Sequence, residues 1–265
     1  MKNLENIIEP LQAELAQFEA YFERTLRAET EPMNSIMLYL LDTKGKRLRP
    51  MLVLLSAKLF GEVNERTLRA ATFVEMVHSA TLIHDDVVDD DNLRRGQASV
   101  KAHWGNASAV LAGDYLLAKA LLLIANDADL LNEMLRTSIA MSEGELMQNT
   151  VANCVPQLEK TAQYLDIITR KTATLMRSCC TAGAMSVGAT PEQIQQISDF
   201  GLHFGILFQL RDDLLDGDDA ETVALAQELL PIYLQKTFDT LRLFPASETL
   251  ETLRQLTAFC AEREV

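Results

Sequence analysis

The chain has few of the features that anchor small secreted or strand-rich folds. There is one tryptophan, aromatics make up 6% of the sequence, and Asn-Gly hairpin signals between alternating apolar residues are absent. The four cysteines, Cys154, Cys179, Cys180 and Cys260, have no paired metal-ligand spacing and sit in helix-like surroundings, which reads as reduced packing thiols. Basic residues are in deficit, 24 against 38 acidic, for a formal charge of -14. That balance excludes broad electrostatic binding to nucleic acid or to an anionic membrane surface, while a local basic pocket for an anionic ligand remains open. The opening "MKNLENIIEPLQAEL" has no long apolar core, and the most apolar later stretch, "AVLAGDYLLAKALLLIAN", is broken by Asp114 and Lys119, so no transmembrane segment is expected. The expectation is a soluble, cytoplasmic protein.

What is present is helical periodicity. Apolar residues recur at three- and four-residue spacing through nearly every segment, and 48% hydrophobic content over 265 residues supplies one substantial core. The expected fold is all-α, a single domain over 1–265, with helices near 3–28, 34–42, 50–60, 65–91, 107–125, 128–148, 158–186, 191–217, 222–239 and 248–262, two of them buried on several sides. "ATPEQI" predicts a start at Pro191, with Thr190 as N-cap and Gln193 closing a capping box.

Chemistry concentrates at "HDDVVDDDNLRR". Asp85, Asp86 and Asp89 lie in a helical stretch, and positions four apart share a face, so Asp85 and Asp89 project together. Alone, the cluster reads best as a solvated acidic helix end. A second copy, "FQLRDDLLDGDD", repeats the pattern with Asp212, Asp213 and Asp216, again between leucines. Two such helices facing each other would present six carboxylates to one cavity, an all-oxygen set suited to Mg²⁺, which completes its shell with water and phosphate oxygens. A Ca²⁺ loop is excluded because the first cluster lacks the required glycine and twelve-position spread of oxygen ligands. A phosphorylated ligand also needs cations. "KGKRLRP" supplies Lys44, Lys46, Arg47 and Arg49 beside a helix start, and Arg94 and Arg95 follow the first aspartates; in isolation this run would be ordinary surface charge.

Taken in order, "GKRLRP", "EMVHSATLIHDDVVDD", "RRG", "GNASAVLAGDYLLAKAL", "SEGELMQ", "RKTATL" and "FGILFQLRDDLLD" closely resemble the trans-prenyltransferases, also called polyprenyl diphosphate synthases, over residues 34–217. The resemblance implies an isoprenoid-synthase fold, an antiparallel helical bundle around a central cavity, usually a homodimer. It implies an enzyme that extends an allylic diphosphate with isopentenyl diphosphate. By the same resemblance Asp85, Asp86, Asp89, Asp212, Asp213 and Asp216 hold Mg²⁺ on the allylic diphosphate. Lys46, Arg49, His78 and Arg95 match the isopentenyl diphosphate positions, and Arg94, Lys171, Thr172 and Gln209 the allylic side. His78 alone would read as a core histidine; its place in "EMVH" reverses that. Ala80 and Thr81, five and four residues before Asp85, match the positions that set product length, where bulky aromatics give short products. Both are small, which implies a long-chain polyprenyl diphosphate.

The resemblance breaks after Asp216. The family continues through a lysine-bearing loop, roughly Gly-Lys, Asp-Leu and Gly-Lys-x-Thr, whereas this sequence passes from "DGDDAETVALAQ" straight into "YLQKTFDTLRLFPASETLETLRQLTAF". Because "VALAQELLPIY" resumes the family pattern, the expectation is a segment left out of the sequence shortly after Asp216. True absence would remove lysines that neutralise diphosphate and would favour a non-catalytic or weakly active subunit of a heteromeric synthase. A terpene cyclase, the other acidic-helix class, usually lacks the paired motifs together with "GKRLRP".

Overall fold

A computed structural model describes residues 3–43, 45–150, 157–217 and 219–263. Lys44 and Cys154 lie outside the described residues. The fold is all-α, as expected: α1 (Leu4–Ile7), α2 (Gln12–Leu26), α3 (Met33–Asp42), α4 (Leu48–Phe60), α5 (Glu65–Val88), α6 (Val100–Trp104), α7 (Asn106–Ile124), α8 (Ala128–Thr150), α9 (Gln157–Ile168), α10 (Thr174–Ser186), α11 (Pro191–Asp216), α12 (Ala220–Leu241) and α13 (Glu248–Glu262).

Runs of consecutive buried residues mark the centre: Pro50–Ala57 in α4, Ala70–Val77 in α5 and Ser178–Ala184 in α10. A helix with no solvent face must be enclosed by others, and α5 packs on α4, α7 and α10, while α10 packs on α4 and α11. Capping explains the starts of the two aspartate-bearing helices. The Asn64 side chain accepts from the Thr67 amide and Thr67 answers to the Asn64 amide, both at 3.2 Å. Thr190 and Gln193 form the box predicted for α11, at 3.3 and 2.9 Å.

Four features differ from the sequence expectation. Pro10 divides the first helix, placing a 3₁₀ turn at Glu9–Leu11 between α1 and α2. α5 stops at Val88, because Asp90 has φ 58° and cannot continue it. A two-residue hairpin pairs β1 (Leu93–Arg94) with β2 (Gln97–Ala98) through Arg95 and Gly96, whose φ values of 52° and 77° suit a primed turn. Between α9 and α10 the helix loosens into a π-turn at Thr169–Ala173. Close neighbours pin that turn on two sides: a Cβ on Gly144 of α8 would meet the Lys171 nitrogen at 2.6 Å, and one on Gly205 of α11 would meet the Ala173 Cα at 2.5 Å.

The break after Asp216 is short. Gly217 adopts φ 67° and caps α11, and Asp219 caps α12 by accepting from the Thr222 amide at 2.8 Å.

Candidate active site

The end of α5 borders two chambers that share Arg49 and His78; from α11 only Phe208 lines one of them, and Asp212, Asp213 and Asp216 line neither. One, of about 470 Å³, is basic: Lys46, Arg49, His78 and Arg95, the four residues matched to isopentenyl diphosphate, all line it, joined by Arg47 and Arg263. The other, of about 500 Å³, has Asp85, Lys171 and Thr172 at its polar end and Val77, Leu117, Met141 and Leu146 along its walls, with Thr81 between. Both volumes fall within the range of small-molecule sites.

The basic chamber is built around a buried carboxylate that sequence reasoning missed. Arg47 stands in the left-handed region at φ 55° as the N-cap of α4. It donates to Glu75 at 2.6 Å and to Glu19 of α2 at 2.9 Å, and its guanidinium lies 4.8 Å from the Phe22 ring centre. Glu75, 4% exposed, thus holds the turn that presents Lys46 and Arg49. Arg49 Nη1 donates to His78 Nε2 at 2.8 Å. Since guanidinium only donates, that imidazole nitrogen is the acceptor. Burial, then Arg49 and the neighbouring arginines, hold the His78 pKa well below the usual histidine value, so the ring is neutral.

The two aspartate motifs do not turn all six carboxylates toward one cavity. One residue along a helix rotates the side chain by about 100°, and buried neighbours decide the rest. Asp86, 2% exposed, is taken by Arg94, whose Nε donates at 2.8 Å. Arg94 therefore faces a separate, small pocket with Asp86, away from the chamber that Lys171 and Thr172 line. Asp90 pairs with the buried ammonium of Lys101 and Asp91 lies 3.7 Å from Arg94, while both carboxylates stay exposed. In the second motif Asp212 pairs with Arg263, while Asp213 accepts from Tyr164 and, at 2.8 Å, from Gln209. Gln209 in turn accepts from Thr172 at 2.7 Å, which ties the π-turn to α11. Tyr164 and Arg263 are further site residues from outside the motifs, and Glu145 lies within "SEGELMQ" but carried no assigned role. Glu145 pairs with Lys171 at 2.7 Å.

Asp85 receives no side-chain donor among the described residues. Burial, then the charge of Glu145, with Asp89 adding to it, pushes its pKa up to about 6. Lys171 and Arg94 offset that rise only in part, and no side chain among the described residues bonds to the carboxylate directly. Among the described residues no three His, Cys, Asp or Glu side chains converge into a closed metal cage. An open, oxygen-only edge of this kind fits Mg²⁺, which keeps waters and takes phosphate oxygens.

Ala80 departs from its expected place. It is fully buried in the main core and does not line the apolar chamber, whereas Thr81, one helical step away, does. No aromatic side chain lines that chamber among the described residues.

The polyprenyl synthetase family profile matches residues 30–224. Heptaprenyl diphosphate synthase component 2 of Geobacillus stearothermophilus is 38% identical over 209 residues, covering 78% of this chain and 64% of that protein. Octaprenyl diphosphate synthase of Escherichia coli K12 is 34% identical over 216 residues, 81% of this chain and 66% of its own length. The chain thus spans slightly less than two thirds of these curated relatives. In structure it is similar to a polyprenyl synthase from Caulobacter crescentus CB15 complexed with calcium and isoprenyl diphosphate, with a TM-score of 0.88 and 28% identity over 99% of this chain and 98% of that one.

Proposed function

This chain belongs to the polyprenyl synthetase family, and from that premise we propose that it is a Mg²⁺-dependent prenyltransferase. It condenses isopentenyl diphosphate with an allylic diphosphate to make a long-chain all-trans polyprenyl diphosphate. The observation that carries this reading is the pair of chambers joined at Arg49 and His78, one basic and one carboxylate-edged with apolar walls.

In this reading Asp85 and Asp89 of the first motif, with Asp212, Asp213 and Asp216 of the second, hold the cations. Asp86 keeps Arg94 in place and Asp213 is held by Tyr164 and Gln209. Bound Mg²⁺ supplies charge withdrawal that turns the allylic diphosphate into a leaving group. Lys171 adds a positive charge on the same side. Lys46, Arg49 and Arg95 hold the second diphosphate, and neutral His78 orients Arg49 at the shared wall. That wall brings the isopentenyl double bond to the allylic carbon as its C–O bond breaks. The proton then lost goes to the departing pyrophosphate, so no protein nucleophile is needed. Val77, Leu117, Met141 and Leu146 shelter the growing chain, and the lack of an aromatic plug supports a long product.

The same reading makes the protein a soluble, cytoplasmic homodimer. α7 is long and apolar enough to cross a membrane, with a mean hydropathy of 1.7, but it packs on α5 as a bundle helix. Its outer residues Leu111 and Leu122, with Leu135 and Ile139 of α8, leave exposed apolar surface that suits a second copy.

A heteromeric-subunit reading is favoured by one observation: α11 passes to α12 through residues 217–219, with no lysine-bearing loop. The likeness to a protein named as component 2 agrees with it. Intact mass bears on this directly, since 29.6 kDa means the segment is absent and a larger mass means the sequence omits it. Incubating the purified protein with isopentenyl and farnesyl diphosphates plus Mg²⁺ and sizing the products separates the readings. Elongation by the homomer supports the first; elongation only with an added partner subunit supports the second; none in either case defeats both.

A further inference from the structure

We propose that Tyr164 is a positioning residue for the second aspartate cluster: its phenol, reaching from α9, orients the Asp213 carboxylate for a divalent cation. This role rests on the proposed reading of that cluster as a cation site, and adds a residue from outside either aspartate motif.

Both oxygens of Asp213 are engaged. Tyr164 Oη donates to Oδ2, and Gln209 Nε2 donates to Oδ1 at 2.8 Å. Thr172 Oγ1 donates to Gln209 Oε1 at 2.7 Å, which leaves the amide NH₂ pointing at Asp213. Three helical segments, α9, the π-turn and α11, therefore converge on one carboxylate.

The chemistry of the donors matters more than their number. Asp86 and Asp212 are partnered by the guanidiniums of Arg94 and Arg263, which neutralise them. Asp213 is partnered by a phenol and an amide, which are neutral. Its orientation is fixed while its negative charge and its remaining lone pairs stay available. Outer groups that hold a ligating carboxylate in this way typically account for about 10–100-fold in metal affinity. Burial, then the Asp213 charge, raises the Tyr164 pKa, so the phenol remains a donor throughout the working pH range.

The ring has a seat of its own. Tyr164 packs against the cluster formed by Ile206, Leu207, Leu210, Ala226 and their neighbours. Tyr164→Phe thus keeps the packing and removes only the O–H donor.

The test is Mn²⁺ binding to the full chain, read by electron paramagnetic resonance with and without inorganic pyrophosphate, in wild type, Tyr164→Phe, Asp213→Asn and the double variant. The expected result is a loss of about 10-fold or more for the Mn²⁺ site that Asp213→Asn also weakens, with no further loss in the double variant. The Mn²⁺ site that Asp85→Asn removes, and the helical circular dichroism, should stay as in wild type. A Tyr164→Phe titration that overlays wild type, or losses that add in the double variant, would overturn the role of Tyr164. Wild-type protein that binds no Mn²⁺, or whose Mn²⁺ binding survives Asp212→Asn with Asp213→Asn, overturns the cation reading itself.

Discussion

Replacing Arg263 by alanine should tighten cation binding and loosen diphosphate binding at once. Arg263 pairs with Asp212, lies 4.2 Å from the Phe208 ring centre, and lines the basic chamber. A cation that takes Asp212 competes with this guanidinium, which holds Oδ1, for the carboxylate's charge. A hydrogen bond between charged groups contributes about 1.5–3 kcal/mol. The Asp212 side chain is 33% exposed, and screening reduces the figure to about 1–2 kcal/mol. Relieved of that competition, the second cluster should bind Mn²⁺ roughly 5–30-fold more tightly. In the other chamber the loss of one cation should weaken isopentenyl diphosphate by roughly fivefold, the worth of about 1 kcal/mol. Mn²⁺ titration by electron paramagnetic resonance and calorimetry with isopentenyl diphosphate alone read the two effects separately. Unchanged or weaker Mn²⁺ affinity in Arg263→Ala would refute the competition.

Other perturbations probe the remaining walls. Thr81→Phe should shorten the product, measured by chromatography of the dephosphorylated prenyl alcohols, because Thr81 lines the apolar chamber. Ala80→Phe should instead overpack the core by about 1–3 kcal/mol, lowering the melting temperature while leaving chain length nearer to wild type. Asp85 has its folded pKa raised from 3.8 to about 6, so the folded state holds the proton more tightly and stability falls as pH rises through that window. Asp85→Asn should therefore stabilise the cation-free protein at pH 8 by about 1 kcal/mol after allowance for exposure, or about 2–4 °C, a gain that disappears below about pH 4. Added Mg²⁺ should stabilise wild type and not the variant.

The pairing of the aspartate motifs was legible because spacing within a helix is a local property: Asp85 with Asp89 and Asp212 with Asp216 repeat the same four-residue step. The basic residues were legible only through the family resemblance: by local spacing alone Lys46 and Arg49 read as surface charge and His78 as a core histidine, and the structure brings all three to one chamber. Which carboxylate faces which partner was not legible. Asp86 takes Arg94 because both meet at a buried edge, and Asp213 takes Tyr164 from 49 positions earlier. The "RKTATL" segment carries no glycine or proline to signal a π-turn; Gly144 and Gly205 on neighbouring helices make room for it. The hairpin at Arg95-Gly96 had only a two-residue signal, and Ala80 was placed one helical step, about 100°, from where it points.

The central claim is that the two aspartate motifs jointly hold divalent cations on an allylic diphosphate. Anomalous diffraction from crystals grown with Mn²⁺ and an unreactive allylic thiodiphosphate tests it most directly. The account predicts Mn²⁺ peaks within ligand distance of Asp85 and Asp89 on one side and Asp212 on the other. A bound thiodiphosphate with no Mn²⁺ peak at either motif would contradict it.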